Sequence, residues 1–367
     1  MNRCPTCGTN YGDDARFCTR DGTRLLGGVA TATPPDAKSP ASGSPLTPDS
    51  GRHTAASVRV TPTNETAAAT LTGQVLEGRY RIDRKVGEGG MSFVYLGTDI
   101  AAGERYAIKV LSAALSKDVN AMARLRREAA LGMRLAHPNI CHIIRLGETE
   151  DGLVYVVMPF VDGEVLSDRT NRFGHLPLST VTWIVRDIAR GLQLAHELKI
   201  VHRDLKPENV MVSRRRDGTE YAVVMDFGLA KERRAGVELQ KLTATGIILG
   251  TPEFMSPEQL RGKPLDARTD IYSLALMTYE MLTGKLPFQG RTQQEMMIAR
   301  LRSDPTPLRK MRPELDLPET VERVLTKAMS RQADDRHQTA TEFAEAFETA
   351  ATSGGAEGGV LGRLFGR

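Results

Sequence analysis

The sequence predicts an α+β fold in which strand-forming segments come first and long helix-forming segments follow. Between residues 80 and 110, apolar and polar residues alternate as they do in half-buried strands. From Leu178 to His196, apolar residues instead recur at helical spacing, and a second apolar helix is predicted from Asp270 to Leu282. The chain has 367 residues, more than one average domain, so we expect a unit of two lobes with extensions at its ends.

Charge and composition argue against two classes of protein. The 49 basic and 45 acidic residues are mixed along the chain, and a net charge of +4 in this pattern does not indicate nucleic-acid binding. No apolar run approaches the length of a membrane span, and the polar N-terminus does not read as a signal peptide. We therefore expect a cytoplasmic protein whose four cysteines are metal ligands or free thiols rather than disulfides.

The first segment, residues 1–26, carries two short motifs of metal-ligand spacing. Cys4 and Cys7 form the first, and Cys18 and Asp21 form the second, each with a glycine behind it. Two such tight turns can clamp a tetrahedral zinc ion, and the segment resembles a zinc ribbon except that Asp21 stands where a fourth cysteine is usual. A redox-active cysteine pair and a metal-free segment are the alternatives. Because so short a segment has no core of its own, we expect it to dock partners.

Residues 27–73 are predicted to form a linker. The stretch consists mainly of Thr, Pro, Ser, Ala and Gly, and it has scarcely any large apolar residues. Such a segment cannot bury enough surface to offset its chain entropy. We therefore expect a flexible tether that acts as a passive spacer.

A glycine-rich segment and a lysine-bearing strand come next. The segment Gly87–Val94 can offer backbone N–H groups to nucleotide phosphates, although such a segment by itself is often only a turn. Lys109 stands inside the apolar strand Tyr106–Val110. Since a buried, unpaired ammonium group is costly, we expect Lys109 to pair with phosphates and with a carboxylate. The carboxylate should lie on the next predicted helix, Met122–Leu131.

The most specific signal is the charged stretch His202–Asn209, which lies between a predicted helix and short strands. Phosphoryl transfer needs a carboxylate to orient the attacking hydroxyl, metal ligands, and cations near the developing charge. Asp204 can supply the carboxylate, Asn209 a metal contact and Lys206 the positive charge. A second metal ligand is expected downstream, and Asp226 follows the next strand-like segment.

These motifs, in this order, resemble the catalytic core of the protein kinase family. The resemblance covers about Tyr80 to Phe347. A lysine at the position of Lys206, after the aspartate, resembles the serine/threonine-specific branch of the family. The segment Gly87–Tyr95 resembles the corresponding segment of bacterial members. A bacterial serine/threonine protein kinase, active in signal transduction, is therefore the implied class of protein.

The resemblance implies the bilobal protein kinase fold over residues 74–349, with a β-rich N-lobe at about 80–161 and a helical C-lobe at about 162–349. ATP would lie in the cleft between the lobes, with Mg²⁺ or Mn²⁺ held by Asn209 and Asp226. The implied catalytic residues are Asp204, Lys206, Asn209, Lys109 and its carboxylate partner Glu128. The implied nucleotide-binding residues are Val86, Gly87, Glu88, Gly89, Gly90, Met91, Ser92, Phe93, Val94, Ala107, Lys109, Met158, Phe160, Val161 and Asp226.

Three further positions have structural roles in this interpretation. Asp270, at the start of the buried helix, is expected to tie down the backbone of the catalytic loop. Arg336 is expected to pair with Glu258, and that pair would hold the end of the segment Gly250–Glu258, which resembles the substrate-facing end of an activation segment. Gly284 is predicted to end the buried helix.

Thr243 and Thr245 are the predicted phosphorylation sites, in the middle of the activation segment. Their modification would be autophosphorylation by another copy of the chain during transient self-association. A phosphate there could pair with Arg203, directly before Asp204. Thr251 is the competing site.

The implied activity is transfer of the γ-phosphate of ATP to serine and threonine hydroxyls of proteins. One alternative is a pseudokinase scaffold, which usually lacks one of the four residues Lys109, Asp204, Asn209 and Asp226. The other is a small-molecule kinase, against which the peptide-binding segment argues. The last residues, 350–367, are predicted to form a flexible tail, with contact to a membrane or partner through its short apolar and basic end as the alternative.

Overall fold

The computed structural model describes residues 2–3, 10–11, 71–89, 92–111, 119–150, 152–227 and 252–353. The chain divides into two units, residues 1–59 and residues 60–367. In the first unit, strand β1 (Asn2–Arg3) pairs antiparallel with strand β2 (Asn10–Tyr11). The predicted zinc ligands Cys4, Cys7, Cys18 and Asp21 lie outside the described residues.

An antiparallel sheet forms the N-lobe of the second unit. Its strands are β3 (Val75–Leu76), β4 (Tyr80–Gly89), β5 (Ser92–Asp99), β6 (Arg105–Leu111), β7 (Arg145–Glu148) and β8 (Val154–Pro159), and their order in the sheet is β3-β4-β5-β6-β8-β7. The predicted alternation is confirmed, because Tyr80, Ile82, Tyr95 and Ile108 point into one fully buried cluster. Leu71 also lies in this cluster and is 1% exposed, while the linker boundary at residue 73 stays a prediction.

Helix α1 (Val119–Gly132) packs beside this sheet and covers the predicted helical run. Met122 and Leu125 on its inner face pack with Leu111 of β6 and Val154 of β8. The helix therefore stands next to the strand that carries Lys109, as the position of a carboxylate partner requires.

The C-lobe is mainly helical, with a three-stranded sheet at its upper edge. Its helices are α2 (Leu166–Phe173), α3 (Leu178–Glu197), α4 (Pro257–Leu260), α5 (Ala267–Thr283), α6 (Gln293–Arg302), α7 (Leu308–Met311), α8 (Glu319–Ala328) and α9 (Ala340–Ser353). Its strands are β9 (Gly163–Val165), β10 (Val210–Arg214) and β11 (Glu220–Val224), with β10 between the other two. Short 3₁₀ turns at Pro207–Asn209 and Pro252–Phe254 belong to the site described below.

Helix α5 is the centre of the C-lobe core and is buried along most of its length. It ends where the sequence predicts, because Gly284 adopts a left-handed φ of 70°. A Cβ atom at Gly284 would lie 1.9 Å from the carbonyl oxygen of Gly174. The end of α5 is thus in backbone contact with the loop that follows α2, and only glycine fits there.

The C-lobe ends with α9, which packs on α3 through the buried side chains of Phe343 and Phe347. The helix continues to Ser353, and the domain boundary at residue 349 stays a prediction. Over the part of the chain that the structure describes, no helix combines the length and apolar character needed to cross a membrane.

Candidate active site

The loop between α3 and β10 is anchored by a carboxylate of α5. The Oδ2 atom of Asp270 accepts a hydrogen bond from the backbone N–H of His202 at 2.8 Å, and Oδ1 accepts one from the N–H of Arg203 at 2.9 Å. His196 Nε2 lies 2.8 Å from the same carboxylate. The predicted role of Asp270 in tying down this loop is therefore confirmed.

Asp270 is fully buried, yet its environment favours the ionised form. Burial alone would raise the pKa of this carboxyl group, because the charged form loses its hydration. The hydrogen bonds from His196 and from the backbone of His202 outweigh that effect and hold the pKa of Asp270 below its usual value. The anchor is thus a carboxylate that accepts hydrogen bonds at both oxygens.

Asp204 lies in the anchored loop with its carboxylate oriented by two neighbours. The Nδ2 group of Asn209 donates to the backbone oxygen of Asp204 at 2.7 Å and to its Oδ2 atom at 2.9 Å. Lys206 Nζ lies 3.6 Å from the same Oδ2 atom, and both side chains are more than four-fifths buried. The three predicted loop residues are therefore together, with the amide oxygen of Asn209 turned away from Asp204.

Asp226 lies two residues after the end of β11 and contacts the N-lobe through Lys109. Its Oδ1 atom is 2.9 Å from the Nζ group of Lys109 on β6. Asp226 adopts a positive φ of 53°, a conformation that is costly for a residue other than glycine and that is found mainly at functional sites. The backbone of the preceding residue, Met225, is bonded to Asn209 and His202, so this carboxylate is held against the catalytic loop.

Among the described contacts, the ammonium group of Lys109 pairs with the carboxylate of Asp226. The predicted partner, Glu128, is half-buried on α1. A nearby aspartate satisfies the electrostatic requirement of a largely buried ammonium group as well as a glutamate does. The Lys109–Glu128 pair stays a prediction.

Several of the predicted nucleotide-binding residues belong to one apolar cluster. Ala107 and Met158 are buried in one cluster, and Val94, Phe160 and Val161 pack against it. At the predicted glycine-rich segment, β4 and β5 pair up to Gly89 and Ser92, with Gly87 opposite Val94 and Glu88 opposite Phe93. Val86 is 39% exposed, while Gly90 and Met91 lie outside the described residues.

The side-chain oxygens of Asp226 and Asn209 suit a magnesium ion with bound phosphates. Carboxylate and amide oxygens, such as those of Asp226 and Asn209, are the ligands that Mg²⁺ takes in proteins, often only one or two of them alongside phosphate oxygens. Within the described ranges, no group of three or more His, Cys, Asp or Glu residues could by itself hold a metal ion. This sparse donor set fits Mg²⁺ that arrives with a nucleotide better than a closed metal site.

The end of the activation segment is held by the ion pair that the sequence predicts. Arg336 donates from both Nη atoms to the two carboxylate oxygens of Glu258, at 2.8 and 2.7 Å. The Arg336 guanidinium is buried and lies 4.7 Å from the ring centre of Tyr272. Burial tends to raise the pKa of Glu258, but Arg336 holds that pKa below its usual value. A bidentate pair of this kind fixes both position and orientation of α4.

Arg300 on α6 is a functional residue that the sequence analysis missed. Its guanidinium, 1% exposed, donates to the carbonyl oxygens of Pro252, Glu253 and Met255 at 2.5 to 3.0 Å. These carbonyls belong to the predicted substrate-facing turn. The only sequence signal is the spacing of Met297 and Arg300 on the inner face of α6, and a basic residue at such a position usually points to solvent.

Three carboxylates approach one another beside the catalytic loop. Glu280 of α5 is largely buried, and Glu208 and Glu253 are its acidic neighbours. Burial, followed by repulsion from those two charges, raises the pKa of Glu280 to about 7. This carboxyl group therefore keeps its proton to a higher pH than an ordinary glutamate does.

Comparison with known proteins agrees with this geometry. The family model described as protein kinase domain matches residues 80–347. Serine/threonine-protein kinase pkn3 of Myxococcus xanthus is 35% identical over 271 residues, which are 74% of this chain and 50% of the relative. PknB of Mycobacterium leprae is 38% identical over 271 residues, which are 73% and 42% of the two chains. The chain thus spans about half or less of the length of these relatives.

A solved structure shows the same fold. The crystal structure of the Mycobacterium tuberculosis PknI kinase domain aligns with a TM-score of 0.57 at 29% identity. The alignment covers 76% of this chain and 98% of that domain. The bilobal arrangement is therefore shared over nearly the whole of the solved domain.

We predict that Glu280→Gln stabilises the protein at alkaline pH. The folded-state pKa of Glu280 is raised above its unfolded value, so the wild type loses stability as the pH rises through about 7. The variant stays neutral and should be more stable at pH 8 by about 1–3 kcal/mol, an advantage that disappears near pH 4.5 and below. Urea unfolding at several pH values measures this, with the exposed Glu345→Gln as control. An advantage that does not depend on pH would contradict the raised pKa.

Proposed function

The chain belongs to the protein kinase family, and from this we propose that it transfers the γ-phosphate of ATP to serine and threonine hydroxyls of proteins. The observation that carries the proposal is the Asp204 carboxylate, oriented by Asn209 and placed beside Lys206 in an anchored loop. The named relatives, which are serine/threonine-protein kinases, support the same substrate class.

Each residue of the site then has one task. Asp204 accepts a hydrogen bond from the substrate hydroxyl and takes its proton as the hydroxyl oxygen attacks. Lys206, beside Asp204, offsets negative charge that develops on the transferred group. Lys109 binds the phosphates, and Asn209 and Asp226 offer oxygens to Mg²⁺. A bound metal ion would neutralise the negative charge of the phosphates.

Two alternatives have weaker support. A pseudokinase scaffold usually lacks one of the residues named above, and all of them are present in this chain. A small-molecule kinase has no need of a held peptide platform, whereas Glu258–Arg336 and Arg300 both fix the end of the activation segment. A bacterial signalling role and a cytoplasmic location stay predictions.

The chain is further proposed to be activated by phosphorylation of Thr243 or Thr245, through transient self-association. Both threonines lie outside the described residues. Arg203 supports the proposal, because this guanidinium follows His202 in the anchored loop and precedes Asp204 directly. A phosphate carries about −1.5 to −2 charges and could pair with Arg203 in two hydrogen bonds, which would order the activation segment.

The N-terminal segment is proposed to hold one zinc ion through Cys4, Cys7, Cys18 and Asp21. The support is the spacing of the two motifs, together with the suitability of thiolate and carboxylate groups as zinc ligands. Its task would be the docking of a partner rather than catalysis.

We predict that Asp204→Asn and Lys109→Met each lower the rate of protein phosphorylation by about 10²-fold or more, because a positioned proton acceptor and a phosphate-binding cation are both lost. Purified variants are compared by transfer of labelled phosphate from ATP to the chain itself and to a general protein substrate. Matched controls are Asp316→Asn and Lys310→Met, which change exposed residues of the C-lobe. Near-normal activity in Asp204→Asn would refute the proposed function.

Loss of both activation-segment threonines should leave a slow enzyme. We expect phosphate on Thr243 or Thr245 in active protein by mass spectrometry. The Thr243→Ala/Thr245→Ala variant should be at least about tenfold less active, and Arg203→Ala should be slow and insensitive to phosphatase, because the phosphate and its partner order the segment together. The Thr251→Ala variant tests Thr251, the competing phosphorylation site, in the same assay. A fully active, unphosphorylated double variant would show that another contact orders the segment.

Metal analysis tests the zinc proposal. Protein purified without chelator should contain about one zinc ion per chain, as expected for one tetrahedral site. Cys4→Ser/Cys7→Ser should lose the ion, while Cys141→Ala should keep it, because Cys141 is buried inside the kinase domain. Deletion of residues 1–26 should leave kinase activity intact. Zinc-free wild-type protein would mean that Asp21 does not replace the fourth cysteine.

A further inference from the structure

Gln259 connects the end of the activation segment to the catalytic loop. Its side chain, on α4, is 5% exposed. The Nε2 group donates to the backbone oxygen of Arg203 at 2.7 Å, and the Oε1 atom accepts from the backbone N–H of Ser256 at 2.9 Å. The orientation of the amide follows from these partners. In a flipped amide, Oε1 would face the carbonyl oxygen of Arg203, and Nε2 would face the N–H of Ser256.

The backbone that Gln259 contacts is strained. Arg203 has a positive φ of 65°, in the left-handed region where a side chain is costly by roughly 1–2 kcal/mol. Such a conformation persists only when the surroundings determine it. Here the N–H of Arg203 donates to Asp270, and its carbonyl oxygen accepts from Gln259. Both backbone polar groups of the strained residue are therefore held by side chains from different helices.

The bond from Gln259 acts on the peptide group that leads into Asp204. The carbonyl of Arg203 and the N–H of Asp204 belong to the same plane. Gln259 holds the oxygen side of that plane, and the N–H side donates to His202 Nδ1 at 3.3 Å. The orientation of this plane sets the direction in which the Asp204 side chain leaves the backbone.

We propose that Gln259 is a positioning residue for Asp204, an inference that rests on the proposed function. Helix α4 is itself fixed by the pair between Glu258 and Arg336. Through its hydrogen bond to the carbonyl oxygen of Arg203, Gln259 holds the 203–204 peptide in place relative to α4. An ordered substrate-binding segment and a correctly placed Asp204 therefore occur together.

A purely structural role for Gln259 is the competing explanation. Ser256 and Gln259 form a capping box, in which the Ser256 hydroxyl accepts from the N–H of Gln259 and the Gln259 side chain accepts from the N–H of Ser256. A capping box stabilises the first turn of a helix and needs only the oxygen of the Gln259 side chain. The bond from Nε2 to Arg203 is additional, and the two roles can be separated by substitution.

Gln259→Glu keeps the acceptor for Ser256 and replaces the donor to Arg203 by a carboxylate oxygen. Ser256→Ala removes the capping hydroxyl and keeps the bond to Arg203. We expect Gln259→Glu to lower kcat about 10- to 100-fold at pH 8 with KM for ATP changed less than about twofold, since small misplacements of a catalytic group have effects of this size. Ser256→Ala should be less thermally stable than wild type, whereas its kcat should fall less than about threefold.

The pH profile gives a second readout. Protonation of the introduced carboxyl group restores an O–H donor toward the Arg203 carbonyl, while its other oxygen still accepts from Ser256. The kcat of Gln259→Glu should therefore recover toward that of wild type as the pH falls from 8 to 5.5. Gln259→Met, which has a side chain of similar length and no donor, should be slow at every pH. A purely structural role predicts no such recovery.

Hydrogen exchange separates this inference from the proposed function. In the full chain, amides of residues 202–205 should exchange faster in Gln259→Glu than in wild type and at the wild-type rate in Ser256→Ala. If wild type phosphorylates no protein but the exchange pattern holds, the proposed function fails and the positioning contact stands. The inference would be overturned if Gln259→Glu had the kcat and the exchange rates of wild type. It would also be overturned if Ser256→Ala lost as much kcat and exchanged as fast as Gln259→Glu.

Discussion

The carboxylate of Asp270 lies in the first turn of α5 and accepts hydrogen bonds from two consecutive N–H groups of the catalytic loop. Because α5 is buried along most of its length, this carboxylate has the position of the C-lobe core itself. The loop has little regular structure of its own beyond a single 3₁₀ turn. The position of the loop therefore follows from that of the helix, and Asp204, Lys206 and Asn209 are placed relative to α5 through this anchor.

The end of the activation segment depends on a related arrangement. Glu258, Gln259 and Arg300 each fix one part of it, through a buried ion pair, a side-chain amide and a guanidinium that collects three carbonyl groups. Arg300 gives hydrogen-bond partners to the carbonyl groups of Pro252, Glu253 and Met255, as a polar turn inside the protein requires. Substrate platform and catalytic loop are thus built on the same helical core and are joined directly at Arg203.

Much of this site could be predicted from the sequence, because its residues stand in motifs whose chemistry is specific. The loop residues, the role of Asp270 and the Glu258–Arg336 pair are in place as expected. Arg300 and Gln259 escaped prediction, since a basic or amide residue on a short helix carries no sign of what it will contact across the fold.

The backbone contact between Gly284 and Gly174 has a consequence for motion between the lobes. Leu176 donates to Met281 in the same region, so the loop after α2 is fixed to the end of α5 and cannot slide along it. At the other end of this stretch, a Cβ atom at Gly163 would lie 2.2 Å from the carbonyl oxygen of Val212, which fixes β9 to β10. Backbone contacts therefore join β9 to β10 and the loop after α2 to the end of α5. The chain crosses from β8 to β9 between Pro159 and Gly163, so a rotation of the N-lobe against these fixed backbones would change the dihedral angles of those few residues.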